Sequence, residues 1–294
     1  MKKPEIKQKR LNIVVVFDAI LRPETTGRYV VRALRNLGHN VSQYMPTYKN
    51  GDSLVFKNYS DLLLDEVDFL LYVDDDINYP VSATRIPKYY WCIDTHRMDN
   101  LVNGSTRWER LKLFDLSFLA QKDRADEVGG NWLPLAYDPS VWRTEDAGKR
   151  YDWCFVGNLN PKREEFFNAI RAVYPNGFVG NAYFDEANKI YNQSWLALNL
   201  TFSNDINMRF YEAQSTSALL MSNRVHNGEA SLFSEVEYFD DVDHCLARMR
   251  VLLADKGALA KKAARQAKDM KLHTYEARMQ ALLAKAGWTT GTPT

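Results

Sequence analysis

Arg209 and Glu212 stand three residues apart in the stretch Asn207 to Ser222, a spacing that puts both side chains on one helix face. The stretch follows an apolar run, Trp195 to Phe202, and a polar turn, Ser203-Asn204-Asp205, and leads into a second apolar segment. Strand, polar turn, charged helix, strand is the order in which parallel sheets present ligand-binding residues at their carboxyl edge. In that setting Arg209 would neutralise a diphosphate and Glu212 would accept hydrogen bonds from ribose hydroxyls. The plainer reading is a packing helix with an ordinary surface ion pair. This stretch alone does not choose between them.

A second cationic segment, Gly157-Asn158-Leu159-Asn160-Pro161-Lys162-Arg163, reads as a strand-to-helix turn. Helix amides together with Lys162 and Arg163 would suit a phosphate there. The segment is neither a P-loop nor a Gly-x-Gly-x-x-Gly, and a turn with surface cations would look the same. Asp94-Thr95-His96 closes another apolar run. From that position His96 could hydrogen-bond a sugar hydroxyl or assist proton transfer; a loop histidine is the alternative. Two carboxylates of Asp74-Asp75-Asp76 could hold a divalent cation against a diphosphate, but acidic residues commonly end strands, and we read a solvated turn and no metal site. There is no Gly-x-Ser-x-Gly and the chain has 5 His, so a hydrolytic triad is poorly supported. Cys92, Cys154 and Cys245 are widely spaced with no Cys-x-x-Cys. That pattern disfavours structural zinc and a disulfide framework and fits a reducing compartment.

The elements that must carry these residues alternate in kind. Leu11 to Phe17 is a near-continuous apolar run of strand length, as in strands buried on both faces. Gly27 to Leu37 has apolar positions at helical period, capped by Thr25 or Thr26, and Asn40 to Met45 makes the next strand. Strands follow at Asp68 to Val73, Lys88 to Ile93, Leu113 to Ala120 and Asn131 to Ala136. The polar stretch Tyr137 to Tyr151 breaks the pattern, which restarts with a strand at Asp152 to Val156 and a helix from Pro161 to Val173. Gly177 to Asn181 reads as a short strand and Phe184 to Ser194 as a helix. Val236 to Phe239 reads as a further strand, Asp241 to Ala254 as a helix, and Lys256 to Lys285 as one or two more. Such alternation predicts open α/β sheets. A chain of 294 residues has room for two such domains. We place a first lobe at 1–137, a linker at 138–151, a second lobe at 152–256 and closing helices at 257–294. With 38 Lys and Arg against 37 Asp and Glu, net charge is +1, so no overall basic footprint points to nucleic acid. The apolar run Ile13 to Phe17 is too short for a signal or membrane segment, and a cytoplasmic protein is expected.

Five blocks in order resemble the CgeB-like, spore-maturation type glycosyltransferases. Tyr90-Trp91-Cys92-Ile93-Asp94-Thr95-His96 is similar to that family's W-x-I-D-T-H, and Trp132-Leu133-Pro134-Leu135-Ala136-Tyr137-Asp138-Pro139 to its W-L-P-x-A-x-D-P. Tyr151 to Gly157 resembles Y-D-x-x-F-V-G, Arg209 to Ser222 the R-F-E-A-x-A-x-G-A-L-L-x-T block, and His273 to Arg278 the closing H-T-Y-E-x-R. The resemblance spans about residues 11 to 285. It implies the GT-B architecture, two Rossmann-like lobes facing across a cleft, with a nucleotide-diphosphate sugar as co-substrate and no required cofactor.

Carried over position by position, the resemblance implies a donor site of Gly157, Asn158, Lys162 and Arg163 at the diphosphate, Val179, Gly180 and Asn181 at the nucleobase edge, and Glu212 on the ribose. Arg209, His96 and Asp94 fall at the catalytic positions. Retaining enzymes of this group often carry a second Glu eight residues before the first. Here that position is Asn204, and the family's small Gly after the helix is replaced by Ser217. Asn204 is expected to hydrogen-bond the donor sugar. The acceptor is open: a glycan, protein or small molecule, or a modified DNA base, which neutral net charge disfavours. A nucleotide-sugar binding protein without catalysis is the reading of another class.

Overall fold

The computed structural model describes residues 10–288, apart from 20–24, 52, 58, 61, 63, 75–79 and 102–103. The chain divides into two compact units, Met1–Pro134 with Tyr275–Thr294, and Leu135–Thr274.

The first unit is built on β1 (Asn12–Val16), α1 (Thr26–Asn36), β2 (Asn40–Tyr44), β3 (Thr47–Asn50), β4 (Ser53–Phe56), β5 (Phe69–Asp74), β6 (Lys88–Cys92), α2 (Arg107–Leu111), β7 (Leu116–Leu119), α3 (Lys122–Glu127) and β8 (Asn131–Trp132). Six strands pair in the order β2-β1-β5-β6-β7-β8, all parallel. The apolar runs are the strands because both faces are covered: Val15, Val16, Leu70, Leu71, Tyr72, Tyr90 and Trp91 are fully buried. Gly27 lets α1 lie against β1, since a Cβ there would stand 2.1 Å from the Phe17 ring. The antiparallel hairpin β3–β4 was not foreseen. The expected strand Asn131 to Ala136 pairs only over its first two residues, because Pro134 has no N–H for a ladder.

The second unit comprises β9 (Tyr151–Val156), α4 (Pro161–Val173), β10 (Gly177–Gly180), α5 (Phe184–Asn192), β11 (Ser194–Asn199), α6 (Arg209–Glu212), β12 (Leu219–Asn223), α7 (Glu229–Leu232), β13 (Glu237–Phe239), α8 (Val242–Ala254) and α9 (Lys256–Asp269). Its five strands pair in parallel in the order β10-β9-β11-β12-β13. Trp153, Phe155, Leu196, Leu198, Leu219 and Met221 form its core with Phe167 and Ile170 of α4 and Met249 of α8. Residues 138–151 are counted in this unit. There the amides of Asn188 and Asn192 receive Arg143 N–H at 3.0 Å and Glu145 N–H at 3.0 Å.

One helical expectation changes length, and another, read as one or two helices, is two. The helix opening at Asn207 is one α-turn, Arg209–Glu212, followed by a 3₁₀ turn, Ala213–Ser215. Gln214, Ser215 and Thr216 then bond back to the carbonyls of Phe210, Glu212 and Ala213, the local competition that stops helices at such residues. Lys256 to Lys285 splits into α9 and α10 (Tyr275–Lys285) around a 3₁₀ turn and His273. α10 completes the first unit: Tyr275 stacks on Tyr29 of α1 at 5.2 Å, and Met279, Leu282 and Leu283 are buried.

Two of the family-like blocks turn out to be crossing points of the chain. Within the second unit Tyr137 and Thr274 form a parallel bridge, and Tyr137 N–H donates to His273 O at 3.1 Å. Within the first, Arg278 Nε donates to Pro134 O at 2.8 Å.

Candidate functional site

In a doubly wound sheet, ligands bind outside the carboxyl ends of the two strands between which the winding reverses. In the second unit those strands are β9 and β11, because β10 is added on one side of β9 and β11 to β13 on the other. The segment after β9 is Gly157 to Asn160, and the segment after β11 is Leu200 to Asn207. Two arginines converge on this point. Arg209 Nε donates to Val156 O at 2.8 Å and its Nη1 to Asn199 Oδ1 at 2.6 Å. Arg163 forks onto Leu200 O, with Nε at 3.0 Å and Nη2 at 2.9 Å, and its Nη1 donates to Asn158 O at 2.9 Å. Each guanidinium thus spans the ends of both strands.

Local chemistry sets up the geometry. Asn160 Oδ1 accepts Arg163 N–H at 3.0 Å and Pro161 takes the first helical position, which starts α4 and fixes where Arg163 points. Gly157 has φ of 148°, and a Cβ built there would stand 2.3 Å from Arg209 Nη2. Only glycine leaves space for that guanidinium. Both cations lie over the Phe155 ring, at 5.3 Å for Arg163 and 4.6 Å for Arg209, and Arg163 also lies 4.9 Å from Phe202. Burial and, after it, the like charge of Arg209 push the pKa of the Arg163 guanidinium down to about 10, against an opposing pull from Asp205. Two cations that repel in a half-buried site call for an anion.

The other sequence candidates divide. Val179 and Gly180 sit in register with Phe155 and Val156, and Gly157 N–H donates to Gly180 O at 2.9 Å. Asn181 is exposed just beyond β10, and Asn158 and Lys162 are exposed beside Arg163. Glu212 is buried one turn on from Arg209, at 8% exposure. Arg209 turns to Val156 and Asn199, so it links strand ends and does not form the i,i+3 ion pair of the plainer reading.

Asn204 lies in an unusual turn. Ser203 and Asn204 have φ of 56° and 59°, and Asp205 N–H closes onto Phe202 O at 3.2 Å. Left-handed backbone at two adjacent non-glycine residues is uncommon, with Asn the better tolerated. Its amide is engaged at both ends by one backbone segment: Oδ1 accepts His226 N–H at 2.5 Å and Nδ2 donates to His226 O at 3.1 Å. Asn204 joins the loop after β11 to the loop after β12.

Asp94 and His96 lie in the first unit, beyond β6. Asp94 O accepts Arg97 N–H at 2.9 Å to form a single 3₁₀ turn, Thr95–Arg97. His96 is half-buried. Asp74 ends β5, while Asp75 and Asp76 lie outside the described residues. Among the described residues no group of three His, Cys, Asp or Glu could hold a metal ion, and no helix is long and apolar enough to cross a membrane.

One residue at this point escaped the sequence reading. Asn199 is fully buried, and it anchors Arg209. The signal was there: it is the one amide inside the apolar run Trp195 to Phe202.

Residues 149–284 match the model of a family described as glycosyl transferase-like. No curated protein matches the chain by sequence. Solved structures similar over nearly their whole length include the following three. Sucrose-phosphate synthase from Thermosynechococcus elongatus has a TM-score of 0.62 at 10% identity, covering 95% of this chain and 99% of that one. AviGT4, a glycosyltransferase involved in avilamycin A biosynthesis, has 0.58 at 14%, covering 94% and 98%. A structure described as the DNA-modifying enzyme β-glucosyltransferase, with and without its substrate uridine diphosphoglucose, has 0.52 at 14%, covering 94% and 97%. The chain has the GT-B fold, and its residues 149–284 are glycosyl transferase-like. Its glycosyl transferase-like domain contains the arginine pair.

Proposed function

We propose that the protein transfers a sugar from a nucleotide-diphosphate sugar held by the second unit. The observation that carries this is the pair of guanidiniums, Arg163 and Arg209, anchored across the carboxyl ends of β9 and β11. Diphosphate charge would fall between them, the nucleobase toward Val179, Gly180 and Asn181, and the ribose on Glu212. As the glycosidic bond breaks, positive charge grows on the sugar and negative charge on the leaving diphosphate. Arg209 and Arg163, with Lys162 beside them, would stabilise that leaving charge. They would supply what a metal ion supplies elsewhere, and the expected reaction is metal-independent. Turnover should be unchanged by a chelator, and its collapse would show that a cation is required. On the first unit, His96 and Asp94 are the residues we assign to the sugar or the acceptor, by hydrogen bonding or proton transfer.

The five ordered blocks support the CgeB-like subtype, and with it a retaining outcome, which the anomeric configuration of the product measured by NMR would test. Three buried free thiols, Cys92, Cys154 and Cys245, suit a reducing, cytoplasmic setting. The acceptor in this reading is a glycan, protein or small molecule. A modified DNA base is the second reading, favoured by the likeness to the DNA-modifying β-glucosyltransferase and disfavoured by the net charge of +1. Salt-dependent retention on duplex DNA would favour it. For the main reading, the deciding measurement is a thermal shift series over nucleoside diphosphates and their sugars, because a ligand of the native state raises the melting temperature. A protein that none of them stabilises does not have this function.

A further inference from the structure

The arginine pair is held without a carboxylate. Every hydrogen bond that Arg163 and Arg209 make among the described residues goes to a neutral oxygen: the carbonyls of Asn158, Leu200 and Val156, and the amide of Asn199. Asn199 is the one side chain in that set. It ends β11, is fully buried, and has all its polar groups in use. Its Oδ1 accepts from Arg209 Nη1 at 2.6 Å and from Asn207 Nδ2 at 3.3 Å, and its Nδ2 donates to Ser222 Oγ at 3.2 Å.

An aspartate would have the same shape here. It would accept from Arg209 and Asn207 as the amide does, and the Ser222 hydroxyl, which can rotate, would donate to it in place of accepting. A carboxylate would also hold a guanidinium more strongly than an amide does. If anchoring Arg209 were the whole task, aspartate would therefore do it better. Asp205 acts on Arg163 through space, but among the described residues Arg209 has no hydrogen-bonded carboxylate, and an aspartate at 199 would neutralise its charge. Arg209 spends two of its five N–H donors on Val156 and Asn199, and the others remain for a ligand only while the cation is not already paired.

We propose that Asn199 is a positioning residue that aims Arg209 at an anion while leaving the charge of the arginine pair intact. The neutrality of position 199, more than its shape, then sets the affinity for a diphosphate. The inference depends on the site being a diphosphate cradle, as in the function proposed above, but not on a nucleoside being attached.

The test compares wild type, Asn199→Asp and Asn199→Ser by titration calorimetry with two probes, UDP and inorganic pyrophosphate, at several salt concentrations. Asn199→Asp should melt at or above the wild-type temperature, bind both probes at least about tenfold more weakly, and show a shallower salt dependence. Asn199→Ser is neutral but too short to reach Arg209, so it should bind more weakly with the wild-type salt dependence. A purely structural asparagine would give the opposite order, with aspartate tolerated and serine damaging. Asn199→Asp binding within twofold of wild type overturns the inference. Should that variant fail to fold, Asn207→Asp puts a carboxylate into the same network from a half-buried position; weaker binding supports the inference and unchanged binding overturns it. Wild type binding pyrophosphate but not UDP would remove the nucleotide reading and keep this one. Wild type binding neither probe removes both.

Discussion

At Gly157 a single hydrogen atom decides where a guanidinium lies. A methyl group there meets Arg209 Nη2 at 2.3 Å on a backbone with φ of 148°. Gly157→Ala should raise the KM for the sugar nucleotide by about tenfold or more, roughly one charge-assisted hydrogen bond, as steady-state kinetics would show; an unchanged KM would mean Arg209 does not touch the substrate. Glu212→Ala should weaken nucleoside diphosphate binding to a similar degree, about 1.5–3 kcal/mol for bonds to a charged acceptor. Wild-type affinity in that variant would remove the ribose assignment. Lys149 offers a prediction unrelated to ligand. Its ammonium donates to Ser194 O at 2.6 Å, Ser217 O at 2.8 Å and Ser217 Oγ at 2.9 Å, and burial pushes its pKa down to about 8. A base whose folded-state pKa lies below its unfolded value holds fewer protons when folded, so stability rises as pH climbs from about 8 toward the ordinary lysine range. Denaturant melts across that window should show the rise, and Lys149→Met should flatten it. At this scale the sequence showed residue types and little of their roles. Arg209 was visible as a cation, but its partners Val156 and Asn199 are 53 and 10 residues away, and no local period encodes such contacts.

Helices and strands were easier to read, because burial on two faces leaves near-continuous apolar runs and burial on one leaves a helical period. Helix α4 has the predicted bounds, since Asn160 and Pro161 mark its start in the sequence itself. The segment at Arg209 was misjudged in length for the opposite reason: Gln214, Ser215 and Thr216 end it through side-chain bonds that propensity does not show. Elements are also tied together by side chains that looked incidental. Glu237 of β13, at 5% exposure, receives Arg248 of α8 and Lys262 of α9. Burial pushes its carboxyl up, but the hydrogen bonds from Lys262 and Arg248 outweigh that and hold it below the usual carboxylate range. A carboxyl lowered in the folded state contributes stability above its unfolded pKa and loses it as pH falls through the folded value. Glu237→Gln should therefore reduce the stability of the second unit at neutral pH and weaken its dependence on pH in the acid range, as thermal melts at pH 3 to 7 would show; a variant with wild-type pH dependence would mean the staple carries no net stability.

On the scale of the whole chain, two separate cores make two cooperative units the natural expectation. Calorimetry should resolve two transitions, with a nucleoside diphosphate raising only the one that belongs to Leu135–Thr274. Leu282→Ala, in the fully buried face of α10, should lower the other by about 2–5 kcal/mol and leave nucleotide affinity unchanged. A shift of the nucleotide-sensitive transition by Leu282→Ala would show that the two units do not unfold independently. Both open α/β sheets could be read from the alternation of elements. The return of the last helix to the first unit could not be fixed that way, because an amphipathic helix does not name the surface it covers.

That return has a consequence for synthesis. The sheet begun at Asn12 lacks the helix that covers Tyr29 until Lys285 has been made. The second unit, continuous from Leu135 to Thr274, is complete before that. At about 5–20 residues per second, the roughly 150 residues between Pro134 and Lys285 take on the order of 10–30 seconds. For that interval the earlier unit stays unfinished while the later one is made, with the apolar bed of α10 open to chaperones and to neighbouring chains.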